Sequence, residues 1–494
     1  MSHSVQLTAP NNVVYTQPTG LFINNEFVAA KSGETLDTIN PFDETVIAKV
    51  ASAGPEDVDE AVKAARKAFK SLKWRGLSTS ERGLLLWKLA DLCERDKNIL
   101  ATIDAWDNGK PYQSALDEDV AEVISVFRYY GGWSDKIHGK TIETSDAKFA
   151  YTRHEPIGVC GQIIPWNYPV MMAAWKLGPA LACGNTVVLK AAEQTPLSVL
   201  YLATLIKEAG FPAGVVNIIN GYGSSAGAGI AGHMGIDKVA FTGSTNTGKA
   251  IMMAAATNLK IITLETGGKS PFLVFDDANL DQAVKWAHVG IMSNMGQICT
   301  ATSRIYVQDA VYDDFVQKFK EYTIANTKLG NQFDPESTHG PQVSANQLKR
   351  ILSYVGSAKS EGAELVLGGV AGSGKGYFIE PTIFKDVHNN MKVVREEIFG
   401  PFAVIQSFKT EEEVVEKAND TEYGLGHKDK AMRDRTMLQR GRNPSLQLWI
   451  PALKSDQFGR RLRMQQEELY HPRWLFPEPW LESMASILEQ VFGK

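Results

Sequence analysis

Three residues able to attack and hydrolyse a carbonyl compound stand in separate parts of the chain. Cys299 ends the segment MGQIC, which reads as the end of a helix, among small and polar residues that suit a reactive thiol. Glu265 lies in a Gly-rich turn, where a carboxylate can take a proton from a thiol or a water. Asn167 lies in a turn fixed by Pro165 and Pro169 and offers an amide N–H to an oxyanion. Buried cysteines and turn asparagines are also common structural features, so an ordinary role stays open.

Two further segments carry groups that suit a dinucleotide. The segment FTGSTNTG runs from a strand into a turn at a helix start, where Gly243, Ser244 and Gly248 let N–H groups approach a phosphate. Lys190 and Glu193 follow an earlier strand, at the edge where open parallel sheets bind nucleotides. The Glu193 carboxylate would accept hydrogen bonds from ribose hydroxyls and repel a 2′-phosphate, which favours NAD over NADP. Taken alone, the first segment also fits an ordinary tight turn, and the second a solvated charge pair.

The segments that must position these groups alternate strands with helices. After Pro156, short apolar runs such as GVCGQIIPW, NTVVLKAA and KVAFTGS are separated by Gly-rich turns and helices, as in a parallel sheet covered on both faces. A second series runs from PFLVFDDA through the helix LDQAVKWAHVGIMSNMGQIC to the strand FAVIQSFK. We therefore predict an α/β protein with a Rossmann-like cofactor domain and a second α/β catalytic domain, which meet near residue 266.

The other segments complete the predicted domain plan. Apolar residues recur at helical spacing in three segments between about residues 55 and 136, and the stretch GKTIETSDAKFAYTRHE alternates as a two-stranded excursion that could pack on another subunit. The plan is a cofactor domain of residues 1–136 and 155–265, an oligomerisation hairpin of 137–154, a catalytic domain of 266–426, and an atypical segment of 427–494.

Composition narrows the class of partner. The 494 residues carry a formal charge of -5 with both signs interspersed, which argues against a nucleic acid or a membrane surface and for a small molecule. No apolar run reaches the roughly 18 to 20 residues that cross a bilayer, and the first residues lack a signal or transit pattern, so we expect a cytoplasmic protein. The four cysteines are far apart and have no histidine at ligand spacing, so we expect reduced thiols and no metal site.

In combination, these segments resemble the aldehyde dehydrogenase family. The resemblance covers about residues 18–425 and is carried by five groups of motifs in the same order and spacing: IIPWNYP, TVVLKAAEQTP, FTGSTNTG with LETGGKSP, NMGQICTATSR, and EEIFGP. It is similar to the NAD-dependent fungal type, which oxidises small aldehydes such as acetaldehyde.

The resemblance implies a role for each catalytic residue. Cys299 matches the family's nucleophile, Glu265 the base that activates the hydrolytic water, and Asn167 the amide of the oxyanion hole. The implied reaction oxidises an aldehyde to a carboxylic acid with NAD, through a thiohemiacetal and a thioester on Cys299, in a homotetramer and without a metal.

The resemblance also implies the cofactor contacts. Lys190 and Glu193 match the family's residues that contact the adenosine ribose. Gly243 and Ser244 match the turn that faces the pyrophosphate. Glu397 and Phe399 match the pair that holds the nicotinamide and its ribose, and Trp166 matches the tryptophan of the nucleotide site.

This sequence departs from the family pattern at three places. Ala191 stands where the family usually has Pro, and Thr266 where it has Leu. After Leu425 the family's Phe-Gly-Gly-x-Lys-x-Ser-Gly motif is missing, and residues 427–494 instead contain eight arginines and three tryptophans. We interpret this last segment as the product of a shifted reading frame. In the family this region closes the substrate pocket and pairs subunits.

Three alternatives stay open from the sequence. One is a catalytically impaired relative, because of the altered C-terminal segment. Another is a thiol hydrolase that uses Cys299 and Glu265 without a cofactor, which Lys190 and Glu193 argue against. The third is a CoA-acylating enzyme, which the presence of Glu265 argues against.

Overall fold

The computed structural model describes residues 3–426 and the backbone of residues 470–472. The atypical segment 427–494, and with it the reading-frame hypothesis, therefore lies outside the described residues except for those three. The helices are α1 (Pro55–Lys70), α2 (Leu72–Arg75), α3 (Thr79–Arg95), α4 (Lys97–Asn108), α5 (Tyr112–Ser114), α6 (Ala121–Trp133), α7 (Pro169–Ala182), α8 (Leu197–Ala209), α9 (Ala228–Gly232), α10 (Thr245–Ala255), α11 (Leu280–Met292), α12 (Tyr312–Asn326), α13 (Ala345–Ser360), α14 (Lys392–Arg395) and α15 (Glu411–Asn419).

The strands are short, and most of them belong to two sheets. They are β1 (Ser4–Thr8), β2 (Val14–Pro18), β3 (Leu21–Ile23), β4 (Glu26–Val28), β5 (Thr35–Ile39), β6 (Val46–Ala51), β7 (Thr141–Ser145), β8 (Lys148–Tyr151), β9 (His154–Pro156), β10 (Val159–Ile163), β11 (Thr186–Lys190), β12 (Val216–Ile219), β13 (Lys238–Thr242), β14 (Ile261–Glu265), β15 (Pro271–Val274), β16 (Arg304–Gln308), β17 (Glu364–Leu367), β18 (Thr382–Lys385), β19 (Phe402–Phe408) and β20 (Tyr470–Pro472).

The first sheet has seven strands in the order β14-β13-β10-β11-β12-β3-β4. The five from β14 to β12 are parallel, and β10, β11 and β12 are buried along their whole length, as their continuous apolar runs predicted. The antiparallel strands β3 and β4 at the other edge were not predicted. They are joined by Asn24 and Asn25, whose φ angles of 55° and 64° suit a two-residue hairpin turn.

The second sheet has five strands in the order β15-β16-β19-β18-β17, parallel except for β17. The strands of the first sheet lie within residues 21–265 and those of the second within residues 271–408. The mixed α/β fold is therefore as predicted, and the division into domains at residue 266 stays a prediction.

The helical layer before the first sheet differs from the sequence prediction at one point. The second of the three predicted helical segments, which runs from Ser80 to Gly109, forms two helices, α3 and α4, separated by Asp96. Asp96 leaves helical geometry, with φ −102° and ψ 19°, and α4 then ends at Gly109 in the left-handed region. The predicted two-stranded excursion is present as the exposed hairpin β7–β8, and its role in oligomerisation stays a prediction. Among residues 3–426, no helix is both long and apolar enough to cross a membrane.

Candidate active site

Cys299 lies in a turn that a strained segment separates from α11. The helix ends at Met292, and Asn294, Met295 and Gly296 then adopt φ angles of 47°, 55° and 70°. The prediction that Cys299 ends the helix is therefore wrong, because residues in the left-handed region cannot continue a right-handed helix. Cys299 is half-buried, whereas the other three cysteines are buried.

Glycines let two other motifs approach the turn of Cys299 closely. A Cβ atom added to Gly296 would lie 2.0 Å from the carbonyl oxygen of Gly400, in the EEIFGP motif. A Cβ atom added to Gly268, in the LETGGKSP motif, would lie 2.2 Å from the carbonyl oxygen of Cys299. Backbone thus packs against backbone at Gly296 and at Cys299 itself, and neither Gly296 nor Gly268 can be replaced by a larger residue without a shift.

Asn167 lies between β10 and α7 and reaches the same turn. Its side-chain Nδ2 donates a hydrogen bond of 2.9 Å to the carbonyl of Gln297, two residues before Cys299. Its own backbone carbonyl accepts hydrogen bonds from Lys110 Nζ at 3.0 Å and from Asn294 Nδ2 at 3.1 Å. The structure therefore brings the predicted oxyanion donor to the turn that carries the predicted nucleophile.

Glu265 is the last residue of β14, at the carboxyl edge of the first sheet. Its Oε2 accepts a hydrogen bond of 3.0 Å from Thr242 Oγ1, and its backbone carbonyl accepts one of 3.0 Å from Gly243 N. Glu265 and Cys299 line the same cavity of about 580 Å³. Tyr168, Met172 and Trp175 line this cavity as well.

The sheet order places a nucleotide crevice between β10 and β13. The chain runs from β10 outward to β12 and then returns to the other side of β10 with β13, so the connections diverge at this point. Trp166 follows β10, and Ser244 follows β13 as the N-cap of α10, with Ser244 Oγ accepting a hydrogen bond from Thr247 N at 3.2 Å. The first turn of α10 supplies N–H groups without intrahelical partners, which suit a phosphate.

Lys190 and Glu193 form an ion pair at the end of β11, with 3.1 Å between Lys190 Nζ and Glu193 Oε2. The Lys190 side chain is 3% exposed and the Glu193 side chain 31%. Burial lowers the pKa of Lys190, and the Glu193 carboxylate opposes that effect. The pair thus holds a partly exposed carboxylate beyond the end of β11, where it can accept hydrogen bonds from hydroxyl groups.

Glu397 and Phe399 approach the crevice from the side of the second sheet. Glu397 Oε1 accepts a hydrogen bond of 3.1 Å from Gly268 N, and burial raises the pKa of this carboxyl group. The ring of Phe399 meets that of Trp166 edge to face, with 5.2 Å between the centroids. The structure therefore brings these three predicted residues to one region.

Gly248 does not lie in the phosphate turn. It is buried inside α10, where an added Cβ atom would lie 3.0 Å from Thr266 Cγ2 and 3.7 Å from the Phe241 ring. The prediction misplaced it because the spacing of the two glycines does not show where the helix begins. Its position instead allows α10 to pack closely on β14, and a contact with the cofactor stays a prediction.

Sequence reasoning missed three polar residues near the site: the buried Lys110 and Lys269, and the half-buried Asn294. Lys110 is 1% exposed and forms an ion pair with Asp119. Burial, assisted by Arg304, lowers the pKa of Lys269 to about 7. Two of the three had a signal in the sequence: Lys269 stands in the LETGGKSP motif, and Asn294 stands two residues before Gly296, which is a weak signal for left-handed backbone. No local pattern marks Lys110.

The described residues also bear on the predictions about cysteines and metals. Within residues 3–426, no group of three or more His, Cys, Asp or Glu side chains could hold a metal ion. Burial raises the pKa of Cys160 to about 12 and that of Cys93 further, which keeps those thiols protonated and unreactive.

The model of the aldehyde dehydrogenase family matches residues 27–428 of the chain. The chain is 56% identical over 414 residues to an aldehyde dehydrogenase of Emericella nidulans, which covers 84% of this chain and 83% of that protein. It is 53% identical over 422 residues to the human mitochondrial aldehyde dehydrogenase, and this match covers 84% of this chain and 81% of that protein. Among solved structures, the NAD+ complex of a Bacillus cereus aldehyde dehydrogenase has a TM-score of 0.81 and 52% identity over 82% of each chain.

Proposed function

The chain belongs to the aldehyde dehydrogenase family, whose members oxidise aldehydes, and we propose that it does so with NAD through a covalent intermediate on Cys299. One observation carries this proposal: Cys299 and Glu265 line one cavity, while the amide of Asn167 is hydrogen-bonded two residues before the thiol. A nucleophile, a base and an oxyanion donor are thus assembled from three separate segments.

In the first step the Cys299 thiolate attacks the aldehyde carbon, forming a C–S bond and a tetrahedral oxyanion. The second amide N–H of Asn167 stabilises this negative charge, since its first N–H is used by Gln297. Bound NAD supplies the hydride acceptor, and loss of hydride from this carbon leaves a thioester on Cys299. Glu265 then takes a proton from a water molecule, whose oxygen adds to the thioester. The C–S bond breaks, and the carboxylic acid leaves.

The residues of the crevice fit NAD. The first turn of α10 suits the pyrophosphate, and the partly exposed Glu193 carboxylate suits the hydroxyls of the adenosine ribose. The same carboxylate repels the 2′-phosphate of NADP, so we propose NAD as the preferred cofactor. Glu397 and Phe399 would hold the nicotinamide end. The relative from Bacillus cereus, solved as an NAD+ complex, supports this assignment.

We further propose a homotetramer that acts on small aldehydes, in which the hairpin β7–β8 contributes to subunit contacts. Phe149 and Tyr151 of this hairpin support that role, because these residues are 78% and 57% exposed in the single chain. A cytoplasmic location, and the absence of nucleic-acid and membrane partners, stay predictions. The curated relatives include mitochondrial enzymes of rat, hamster and human, so they do not decide the compartment.

The proposal is tested by NADH formation over an aldehyde chain-length series. We expect Cys299→Ser to lose more than about 1,000-fold in kcat, because the hydroxyl of a serine is a far weaker nucleophile than a thiolate. Cys93→Ala is the matched control, since Cys93 is buried in α3 and unreactive, and should retain activity. Activity retained in Cys299→Ser would refute the nucleophile, and no aldehyde-dependent NADH in the unaltered protein would favour the impaired relative.

A further inference from the structure

A polar network surrounds the backbone carbonyl of Asn167. Asn294 Nδ2 donates to the backbone carbonyl of Asn167 at 3.1 Å and to that of Gln297 at 3.2 Å. The carbonyl of Gln297 also accepts the hydrogen bond from Asn167 Nδ2. One side-chain amide therefore links the backbone of the oxyanion donor to the backbone of the nucleophile turn.

Lys110 completes this network. Its ammonium group donates to the same carbonyl of Asn167 at 3.0 Å and lies 4.1 Å from the centroid of the Tyr168 ring. A buried ammonium group is tolerated only when it is paired, and Asp119 supplies the counter-charge. The carbonyl of Asn167 thus accepts two hydrogen bonds, one of them from a charged donor, which uses both of its lone pairs.

We propose that Asn294 and Lys110 are positioning residues, which hold Asn167 so that its amide stabilises the oxyanion on Cys299; this inference rests on the proposed function. Two donors on the backbone carbonyl fix the orientation of the peptide at residue 167. The bond from Asn167 Nδ2 to Gln297 then fixes the plane of the side-chain amide. Because a primary amide has two N–H groups, the remaining one is held in a defined direction.

A simpler explanation of Asn294 concerns its backbone alone. Asparagine tolerates the left-handed region better than most residues, and φ at Asn294 is 47°. Glycine tolerates that region better still. Asn294→Gly therefore preserves the backbone conformation while it removes both hydrogen bonds of the amide, so this variant separates the two explanations.

The test compares two reactions of Cys299 that need no cofactor. Acylation by 4-nitrophenyl acetate proceeds through a tetrahedral oxyanion, in which the C–S bond forms and 4-nitrophenolate then leaves. Alkylation by iodoacetamide forms the C–S bond as iodide leaves, without an oxyanion. A residue that positions the oxyanion donor should affect the first reaction and leave the second unchanged.

For Asn294→Gly we expect acylation to slow by about 10- to 100-fold, somewhat less than the loss of the whole donor in Asn167→Ala. Alkylation should stay within about 2-fold of the unaltered enzyme, and with aldehyde and NAD the kcat should fall while KM changes little. The double variant Lys110→Gln/Asp119→Asn removes the charge pair without leaving an unpaired charge and should give the same pattern. These results would support the proposal.

Asn25→Gly is the matched control. Asn25 also has left-handed backbone, with φ 64°, and its Nδ2 donates to a remote carbonyl, that of Phe211, at 2.8 Å. This variant should leave both reactions unchanged. Acylation within about 2-fold in Asn294→Gly, or a parallel loss of acylation and alkylation, would overturn the inference. If Cys299→Ala still acylates at the unaltered rate, the proposed function itself fails.

Discussion

Gly268→Ala tests whether the backbone of Cys299 is held by direct contact with the LETGGKSP motif. A Cβ atom at Gly268 would lie 2.2 Å from the carbonyl oxygen of Cys299. A carbon and an oxygen atom normally approach no closer than about 3.3 Å, so one of the two segments must move by roughly 1 Å. The backbone of Gly268 is not in the left-handed region, so the steric contact is the whole perturbation.

A displacement of this size has a large expected effect on catalysis. A misplacement of about 1 Å in the reacting groups lowers activity by roughly 100-fold. We therefore expect kcat/KM of Gly268→Ala to fall by about that factor, with a loss of about 1 to 3 kcal/mol in the free energy of unfolding from overpacking. NADH formation and urea unfolding measure the two effects.

Gly83→Ala is the control for the loss of stability. Its added Cβ atom would lie 2.6 Å from the carbonyl oxygen of Gly131, between α3 and α6, so the clash is of the same kind but involves none of the site residues. We expect lower stability and unchanged activity per folded molecule. If Gly268→Ala behaves like Gly83→Ala, the contact between Gly268 and Cys299 does not position the thiol.

Three further changes follow from the same structure. Burial raises the pKa of Asp104 to about 7, above its value of about 3.9 in the unfolded chain. The contribution of this group to stability is therefore fully present below about pH 3.9 and is lost as the pH rises through about 7. Asp104→Asn should therefore be more stable than the unaltered protein at pH 8, by up to about 4 kcal/mol, and no more stable at pH 4 in urea unfolding. Glu193→Gln removes the repulsion of a 2′-phosphate and should reduce the preference for NAD over NADP by roughly 10-fold in kcat/KM. Glu265→Gln should retain a first turnover of NADH in stopped-flow measurements while steady-state kcat falls by about 100-fold or more, because only hydrolysis needs the base; loss of the first turnover would contradict that role.

The sequence predicted those site residues whose position depends on strand ends. Asn167, Lys190 and Glu265 each follow a continuous apolar run, and parallel strands bring their carboxyl ends to one edge of a sheet. The same reasoning missed β3 and β4, and β17 and β18. These strands have only three or four residues, too few to show a period, whereas the equally short β15 was recognised by the apolar run that begins PFLVFDDA. It misplaced Gly248 because the motif does not show where α10 begins.

Residues that depend on distant contacts could not be predicted. The neighbouring Asn294 and Gly296 are only a weak signal for left-handed backbone at Met295, because a Met seldom adopts it. The Met295 carbonyl is held by a distant residue, Gln342, whose Nε2 donates to it at 3.2 Å. Lys110 is tolerated inside the protein because a π-helical turn at Ala115–Val120 brings Asp119 to it. Both cases depend on residues that meet only in the folded chain.

The turn that carries Cys299 therefore owes its geometry to contacts with distant segments of the chain. Left-handed backbone at non-glycine residues costs of order 1 to 3 kcal/mol each, and Asn294 and Met295 adopt it in succession. Hydrogen bonds from other segments offset this strain: Asn167 bonds the carbonyl of Gln297, and Val343 N donates to Gln297 Oε1 at 3.0 Å. One of these partners follows β10 and the other precedes α13, so the geometry of the turn depends on two segments that are distant from it in the sequence.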